Sequence, residues 1–418
     1  MSANEKWISA LTDKSGKQLL PILEDMRGRG DAVLICNLGG DDQEAQINAY
    51  LLKHREGQMA DGLALLSQEA GCMEVIIYGG ELDSGSLSQA LTSRVSVPVT
   101  VKNGPASPVL RDETSLYSAI DKGIIRSNFA EAAYKKEYPS YGYQGRPTLI
   151  VDGETACQAV RLSADHSAGL TKYVAVIGGD AEMKEVPVGT SAAALLEGKE
   201  ATEPILLGGT WGSFIKSDKL EQTPISYSYH CDSLRIFEDG YCVIHETAEL
   251  YRSIKDLSCA KCVLCREGSW QLHAIFSDMT KAKANREDIR LIEDICPLIR
   301  VSPLCSFGNN MVLPAMTAVT ACAKELTEHV VGRRCRKGQC KDLLSYVIDP
   351  SLCTGCGECL DACPEDAIEG KDRFIHIIDE DLCIKCGKCV PACPENAIKF
   401  GGEKIRIPKK LVKVGQFR

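Results

Sequence analysis

The apolar positions of this chain change their period three times between its ends. In the first 150 residues, short apolar runs alternate with stretches of helical spacing. Asp31-Ala-Val-Leu-Ile-Cys-Asn37, followed by Gly39-Gly40, predicts a buried strand and a turn; Met73-Glu-Val-Ile-Ile-Tyr78, closed by Gly79-Gly80, predicts a second, and 97–101 a third. Between the first two, Leu51, Leu52, Met59, Leu63 and Leu66 fall on or near one face of a helix over 49–69. The alternation predicts an α/β domain over 1–150. Tyr138 to Gly145, aromatic and glycine-rich, reads as a loop.

From 151 to 245 the strands shorten, with candidates at 173–177, 185–188, 205–207 and 233–237 and helical spacing at 191–196, which suggests a small α+β module. From 246 to 334 the period becomes helical, over 246–253, 269–279, 286–296 and 311–331, with Pro297, Pro303 and Pro314 placed at the breaks. Residues 335–400 contain two halves that repeat thirty residues apart. The remainder, 401–418, carries Lys404, Arg406, Lys409, Lys410, Lys413 and Arg418 against Glu403 alone, and reads as a solvated basic tail.

Composition narrows the partners. A net charge of −9 argues against nucleic acid, and no apolar run is long enough to span a bilayer. The N-terminus lacks a basic segment leading into an apolar one, so no secretory signal is expected. Most of the 21 cysteines stand at spacings that require thiolates, so a reducing, cytoplasmic compartment is expected.

The repeat carries the strongest chemistry. Cys353-x2-Cys356-x2-Cys359-x3-Cys363-Pro364 is followed by Cys383-x2-Cys386-x2-Cys389-x3-Cys393-Pro394. In this bacterial ferredoxin pattern three close thiolates hold one iron-sulfur cube, and the fourth reaches across to the other. Cys353, Cys356, Cys359 and Cys393 are thus expected to bind one [4Fe-4S] cluster, and Cys383, Cys386, Cys389 and Cys363 a second. Two zinc sites would leave each Cys-Pro without a role. A third group lies in the helical segment, Ser258-Cys259-Ala-Lys-Cys262-Val-Leu-Cys265-Arg266-Glu267-Gly268. Three thiolates do not close a tetrahedral site, so a distant fourth is required. Cys305, in a loop bounded by Pro303 and Gly308, is preferred over Cys296, which closes a helical pattern.

These residues resemble the flavin-carrying, NADH-oxidising subunit of respiratory complex I and the matching subunits of NAD-linked, electron-bifurcating hydrogenases and formate dehydrogenases. In that family the motif S-C-G-K-C-x-x-C-R-E-G, with a later S-L-C-x-x-G, binds a [4Fe-4S] cluster in a helical bundle, and hydrogenase-type members append a two-cluster ferredoxin domain. Upstream, Glu185-Val-Pro-Val-Gly-Thr190 and Leu207-Gly-Gly209 look like parts of the ubiquitin-like SLBB module. Ile35-Cys36-Asn37, Arg111-Asp-Glu113-Thr114 and Pro147 to Thr155 look like pieces of the flavin site. The resemblance implies a degenerate Rossmann-like domain, an SLBB module, a [4Fe-4S] bundle and a ferredoxin domain.

The departures from the family bear on function. Of the glycine-rich flavin loop only Arg27-Gly28-Arg29-Gly30 remains, so the backbone cradle for an anionic phosphate is missing. An acidic pair has become Gly39-Gly40, and paired asparagines have become Asp152-Gly153. Asn37 and Glu113 persist as a residual site, and no flavin is expected. Cys335 and Cys340 stand where hydrogenase-type relatives carry a similar pair; with His329, and Cys322 as a further candidate, they suggest a structural zinc, or equally two free thiols beside a hinge. Cys36, Cys72, Cys157, Cys231, Cys242 and Cys296 show no ligand spacing and read as small buried hydrophobes. The expected function is an electron-transfer subunit of a cytoplasmic multi-subunit oxidoreductase, relaying electrons through three [4Fe-4S] clusters between a partner flavoprotein or catalytic metal subunit and ferredoxin. The alternative is a diverged, FMN-containing NAD(P)H dehydrogenase subunit of a bifurcating complex.

Overall fold

In the computed structural model, which describes residues 3–127, 142–199, 204–238, 240–402 and 405–417, the first apolar run forms strand β1 (Val33–Asn37), buried along its whole length. It pairs in parallel with β2 (Glu74–Gly80) on one side and β4 (Thr148–Val151) on the other, and β3 (Val99–Asn103) completes the order β3-β2-β1-β4. Both faces are covered: Leu34 and Cys36 join one core with Trp7, Leu63 and Leu162, while Val33 and Ile35 join another with Tyr78, Leu116 and Ile120. A continuous apolar run is what a parallel strand covered on both faces requires.

The helix expected over 49–69 is two helices, Ile47–His54 and Glu56–Ala70, broken where Arg55 takes φ −137°. Apolar spacing carries through such a break, so periodicity does not reveal it. The second helix packs on helix Gly153–Ala164 so closely that a Cβ on Gly62 would stand 1.9 Å from the Ala156 carbonyl oxygen. Helices Gly85–Thr92 and Glu113–Lys122 were not evident from periodicity. Asp112 caps the latter by accepting from the Ser115 N–H, as Asp152 caps Gly153–Ala164 through Thr155.

A five-stranded mixed sheet follows: β5 (Thr171–Gly178), β6 (Asp180–Pro187), β7 (Ile205–Leu207), β8 (Ser213–Ile215) and β9 (Ser233–Arg235), ordered β6-β5-β9-β7-β8. The expected helical turn at 191–196 is a 3-10 helix, Ala192–Leu196. Beyond it run helices Val243–Leu257, Val263–Thr280, Arg286–Val301, Leu313–Ala321 and Ala323–Val330. Pro297, expected at a break, lies inside Arg286–Val301; the lost hydrogen bond does not end the helix. Pro314 opens Leu313–Ala321 from its first turn, where no N–H is needed.

The chain divides into two compact units. One comprises Met1–Glu238, Glu249–His273 and Ile289–Cys322; the other, Asp239–Ala248, Ala274–Asp288 and Ala323–Arg418. In the second, β10 (Ser345–Ile348) pairs antiparallel with β13 (Ile398–Gly401), and β11 (Ile368–Glu369) with β12 (Ile377–Ile378). The segment read as a solvated tail is tied down: the Ile375 N–H donates to the Val412 carbonyl and the Val414 N–H to the Arg373 carbonyl. Of the loop read at 138–145, residues 138–141 lie outside the described residues, as do 403, 404 and 418 of the tail. Among the described residues no helix is long and apolar enough to cross a membrane.

One polar cluster braces the first unit. Lys14 Nζ lies 2.7 Å from Glu154, 3.1 Å from Asp152 and 3.2 Å from Asp232; Lys172 Nζ lies 2.7 Å from Asp232 and 2.9 Å from Glu154; Arg111 reaches Asp232 at 3.0 Å. All six side chains are buried, with cations and carboxylates equal in number. Burial pushes the Asp232 carboxyl up, but Lys14, Lys172 and Arg111 outweigh it and hold its pKa well below the usual range. A depressed carboxylate pKa stabilises the fold above the unfolded value of about 4, and that stability is lost as pH falls through the folded pKa. Urea unfolding should therefore show the first unit weakening steeply below about pH 4. At pH 7, Lys172→Met should cost about 3–5 kcal/mol, because it leaves buried carboxylates short of a cation.

Candidate metal centres

Cys259 and Cys262 sit on the loop before helix Val263–Thr280, and Cys265 lies in that helix's first turn. The loop turns at Ala260, whose φ of 57° is left-handed, at the position where the resembled motif has glycine. Ser258 Oγ accepts from the Ala260 N–H at 3.2 Å and contacts Cys265 Sγ at 3.5 Å. Cys305 stands at the start of helix Ser306–Asn310. Its thiol is pushed up to about 12, first by burial and then by Asp112, Cys259 and Cys265, with the Gly308 N–H acting the other way. A Cβ on Gly308, three residues on, would stand 3.3 Å from Cys265 Sγ, so the turn that Cys305 opens lies beside the trio. Cys296 is pushed up to about 12 by burial alone. The two cations flanking the trio's sulfurs are anchored on backbone: Lys261 Nζ donates to the Ser127 carbonyl and Arg266 Nη1 to the Ala260 carbonyl at 3.1 Å.

In the second unit the eight repeat cysteines fall into two crossed groups. Burial and then the neighbouring Cys353, Cys356 and Cys393 push the Cys359 thiol up to about 12. Cys389 is raised by burial and by Cys383, Cys363 and Cys386, and those four cysteines line one small cavity. Backbone amides point at sulfur: Ala367 N–H at Cys363, 3.3 Å, and Ala397 N–H at Cys393, 3.4 Å. Such donors stabilise charge on the sulfurs of an iron-sulfur site.

A fourth group is Cys242, His329, Cys335 and Cys340, all buried, with ligand atoms within 4.8 Å of one another. His329 Nδ1 donates to the Glu325 carbonyl at 2.8 Å, which aims Nε2 at Cys242 Sγ, 3.1 Å, and Cys340 Sγ, 3.5 Å. Cys242 and Cys340 sulfurs are 3.9 Å apart. Tetrahedral zinc with Zn–S of about 2.3 Å puts sulfurs about 3.8 Å apart, so the donor set fits a Cys3His zinc site. The backbone carbonyl that orients the imidazole is the usual support for such a ligand. Cys242 corrects the sequence reading, which placed it among the buried hydrophobes and offered Cys322 instead. Eighty-seven residues separate Cys242 from His329, and no spacing signal spans that distance.

The two residues expected as a residual flavin site stand together. Asn37 and Glu113 line a cavity of about 70 Å³ with Lys14, Lys17, Arg111 and Asp152, at the carboxyl ends of β1 and β4. The chain runs from β1 to β2 on one side, and β4 lies on the other, so this crevice is where open α/β sheets place ligands. Here the ion cluster enters it. Arg111 lies over the rings of Trp211 and Tyr229 at 4.7 and 4.2 Å, and Asn37 Nδ2 donates to the Leu110 carbonyl. In the segment read as a remnant of a phosphate loop, Arg27 pairs with Glu69 and Arg29 with Asp25.

With that geometry in place, residues 245–329 match the NADH-ubiquinone oxidoreductase-F iron-sulfur binding region and 346–400 a 4Fe-4S dicluster domain. The NADP-reducing hydrogenase subunit HndC of Solidesulfovibrio fructosivorans is 29% identical over 65% of this chain and 60% of its own length. An NADH-quinone oxidoreductase subunit of Mycobacterium tuberculosis (strain ATCC 25618 / H37Rv) is 23% identical over 58% of this chain and 59% of its own. The chain thus spans about three fifths of these curated relatives. A solved NAD+-reducing [NiFe]-hydrogenase in the H2-reduced state superposes with a TM-score of 0.70 at 17% identity, over 78% of this chain and 62% of that one, which shows a shared fold. The chain carries iron-sulfur domains of the kind found in NADH dehydrogenase-like and hydrogenase complexes.

Two substitutions separate the competing cysteines. Cys305→Ser should lower iron by about four atoms per chain on metal analysis, and Cys296→Ser should leave it unchanged. Cys242→Ser should lose zinc without losing iron.

Proposed function

We propose that this chain is an electron-transfer subunit of a multi-subunit oxidoreductase, acting in a reducing compartment and relaying electrons through three [4Fe-4S] clusters between a partner redox subunit and ferredoxin. What supports the reading is the spacing of twelve cysteines, with Cys363 of one half of the repeat lining one cavity with Cys383, Cys386 and Cys389 of the other, and Cys265 lying beside the turn that Cys305 opens. The ligand sets are Cys259, Cys262, Cys265 and Cys305; Cys353, Cys356, Cys359 and Cys393; and Cys383, Cys386, Cys389 and Cys363. Each cube supplies one-electron chemistry. The chain's part is to fix the sulfurs, aim amides at them and limit water. Zinc on Cys242, His329, Cys335 and Cys340 would brace the segment that leads into the ferredoxin repeat.

No flavin enters this reading. The crevice at the ends of β1 and β4 is lined by Lys14, Arg111 and Asp152, each already committed to an ion pair of the buried cluster. The phosphate cradle is also missing. One observation favours the alternative, an FMN-containing NAD(P)H dehydrogenase subunit: Asn37 and Glu113 still line one cavity, and Asn37 Oδ1 accepts no hydrogen bond from the described residues.

Joint metal and flavin analysis of the purified chain decides between them. The expected result is about 12 irons, one zinc and no flavin. About one flavin per chain, with NADH-dependent dye reduction, would establish the alternative.

A further inference from the structure

The two halves of the ferredoxin repeat are alike in their cysteines and unlike in one buried contact. With the offset of thirty residues, Cys353 corresponds to Cys383, Tyr346 to His376 and Gly370 to Phe400. Each strand that precedes one half packs on the other half's sulfurs. Tyr346, before the first half, lines the cavity of Cys363, Cys383, Cys386 and Cys389, and its ring lies against Phe400 with centroids 4.6 Å apart. His376 replaces it in the second half. It is 2% exposed, its Nδ1 lies 3.2 Å from Cys359 Sγ, and its N–H points at Cys353 Sγ from 3.5 Å. Gly370 makes the room: a Cβ there would stand 2.0 Å from the imidazole Cδ2.

A cluster-bound cysteine sulfur is a thiolate with no proton to give, so Nδ1 must carry the hydrogen in this contact. Among the described residues Tyr346 makes no hydrogen bond to sulfur. The halves therefore differ in donor count at sulfur, and such donors favour the more negative, reduced state.

We propose that His376 raises the reduction potential of the cluster on Cys353, Cys356, Cys359 and Cys393 by donating from Nδ1 to Cys359 Sγ. This rests on the reading that these cysteines hold a cluster. In the exchange it biases, one electron leaves the sister cluster and arrives on this one, and no further reactant is needed. Loop charges act in the opposite sense, since Glu358 flanks the first group while Lys385 and Lys388 flank the second. All three are exposed, and 1 M salt shortens their reach to about 3 Å. A buried imidazole–sulfur contact is not screened in that way, so the two contributions separate by ionic strength.

The test is a redox titration of the full chain in 1 M salt, followed by electron paramagnetic resonance, with iron measured on every sample. In His376→Leu the equilibrium for reducing one cluster should fall about tenfold, ~59 mV for a one-electron couple, with the others unmoved. His376→Gln, which keeps an N–H donor, should recover most of that shift. Should the leucine variant hold less iron, His376→Phe replaces it under the same criterion. An unchanged potential at full iron content, an equal shift of all clusters, or a glutamine variant no better than leucine would overturn the role of His376. A wild-type chain without reducible clusters on the repeat would overturn the underlying assignment instead.

Discussion

Buried sulfur atoms held close together resist ionisation, and everything proposed for this chain follows from how the fold enforces that crowding. The thiols of Cys305 and Cys359 are each pushed up to about 12 by burial and by neighbouring sulfur. Four thiolates can share such a space only when positive charge stands among them. The fold therefore holds neutral thiols together, and a metal centre is what makes their joint ionisation favourable. Local backbone supplies the convergence: a left-handed Ala260 in one loop, and amides of Ala367 and Ala397 aimed at sulfur in the repeat.

The same rule governs the crevice at the carboxyl ends of β1 and β4, with the opposite outcome. There the protein neutralises buried charge with its own side chains. Lys14, Lys172 and Arg111 match Asp152, Glu154 and Asp232, and the aromatic rings of Trp211 and Tyr229 cover the guanidinium. As proposed, these cations serve the cluster and not a nucleotide phosphate. On the proposed reading, one unit of the chain has kept a nucleotide-type architecture as a brace, and the chemistry has moved to sulfur.

Much of this was legible in the residue order, and the reasons are local. Ferredoxin cysteines lie two or three residues apart because one tight loop must deliver three sulfurs to one cube, so spacing alone identifies them. Strand β1 was legible because a parallel strand covered on both faces is apolar throughout. The break at Arg55 and the passage of helix Arg286–Val301 through Pro297 were not, because neither alters the apolar period. The attachment of 405–417 was not legible, because it runs through backbone hydrogen bonds at 412–414 while the basic side chains stay exposed, and charge composition registers only the latter.

By itself the order of residues determined which atoms are available: soft thiolates in three closely spaced sets, and an alternating α/β pattern around the first strands. Tertiary structure decided which distant atoms meet. Only the fold brings Cys242 to His329 across eighty-seven positions, closes the crevice with Lys14 and Asp232 from far-separated segments, and lays His376 rather than a tyrosine against one set of sulfurs. The physical reason is range. Spacing along the chain encodes contacts that one turn or loop can make, whereas a metal's fourth ligand or a buried counter-charge is set by packing between elements whose separation in sequence carries no period.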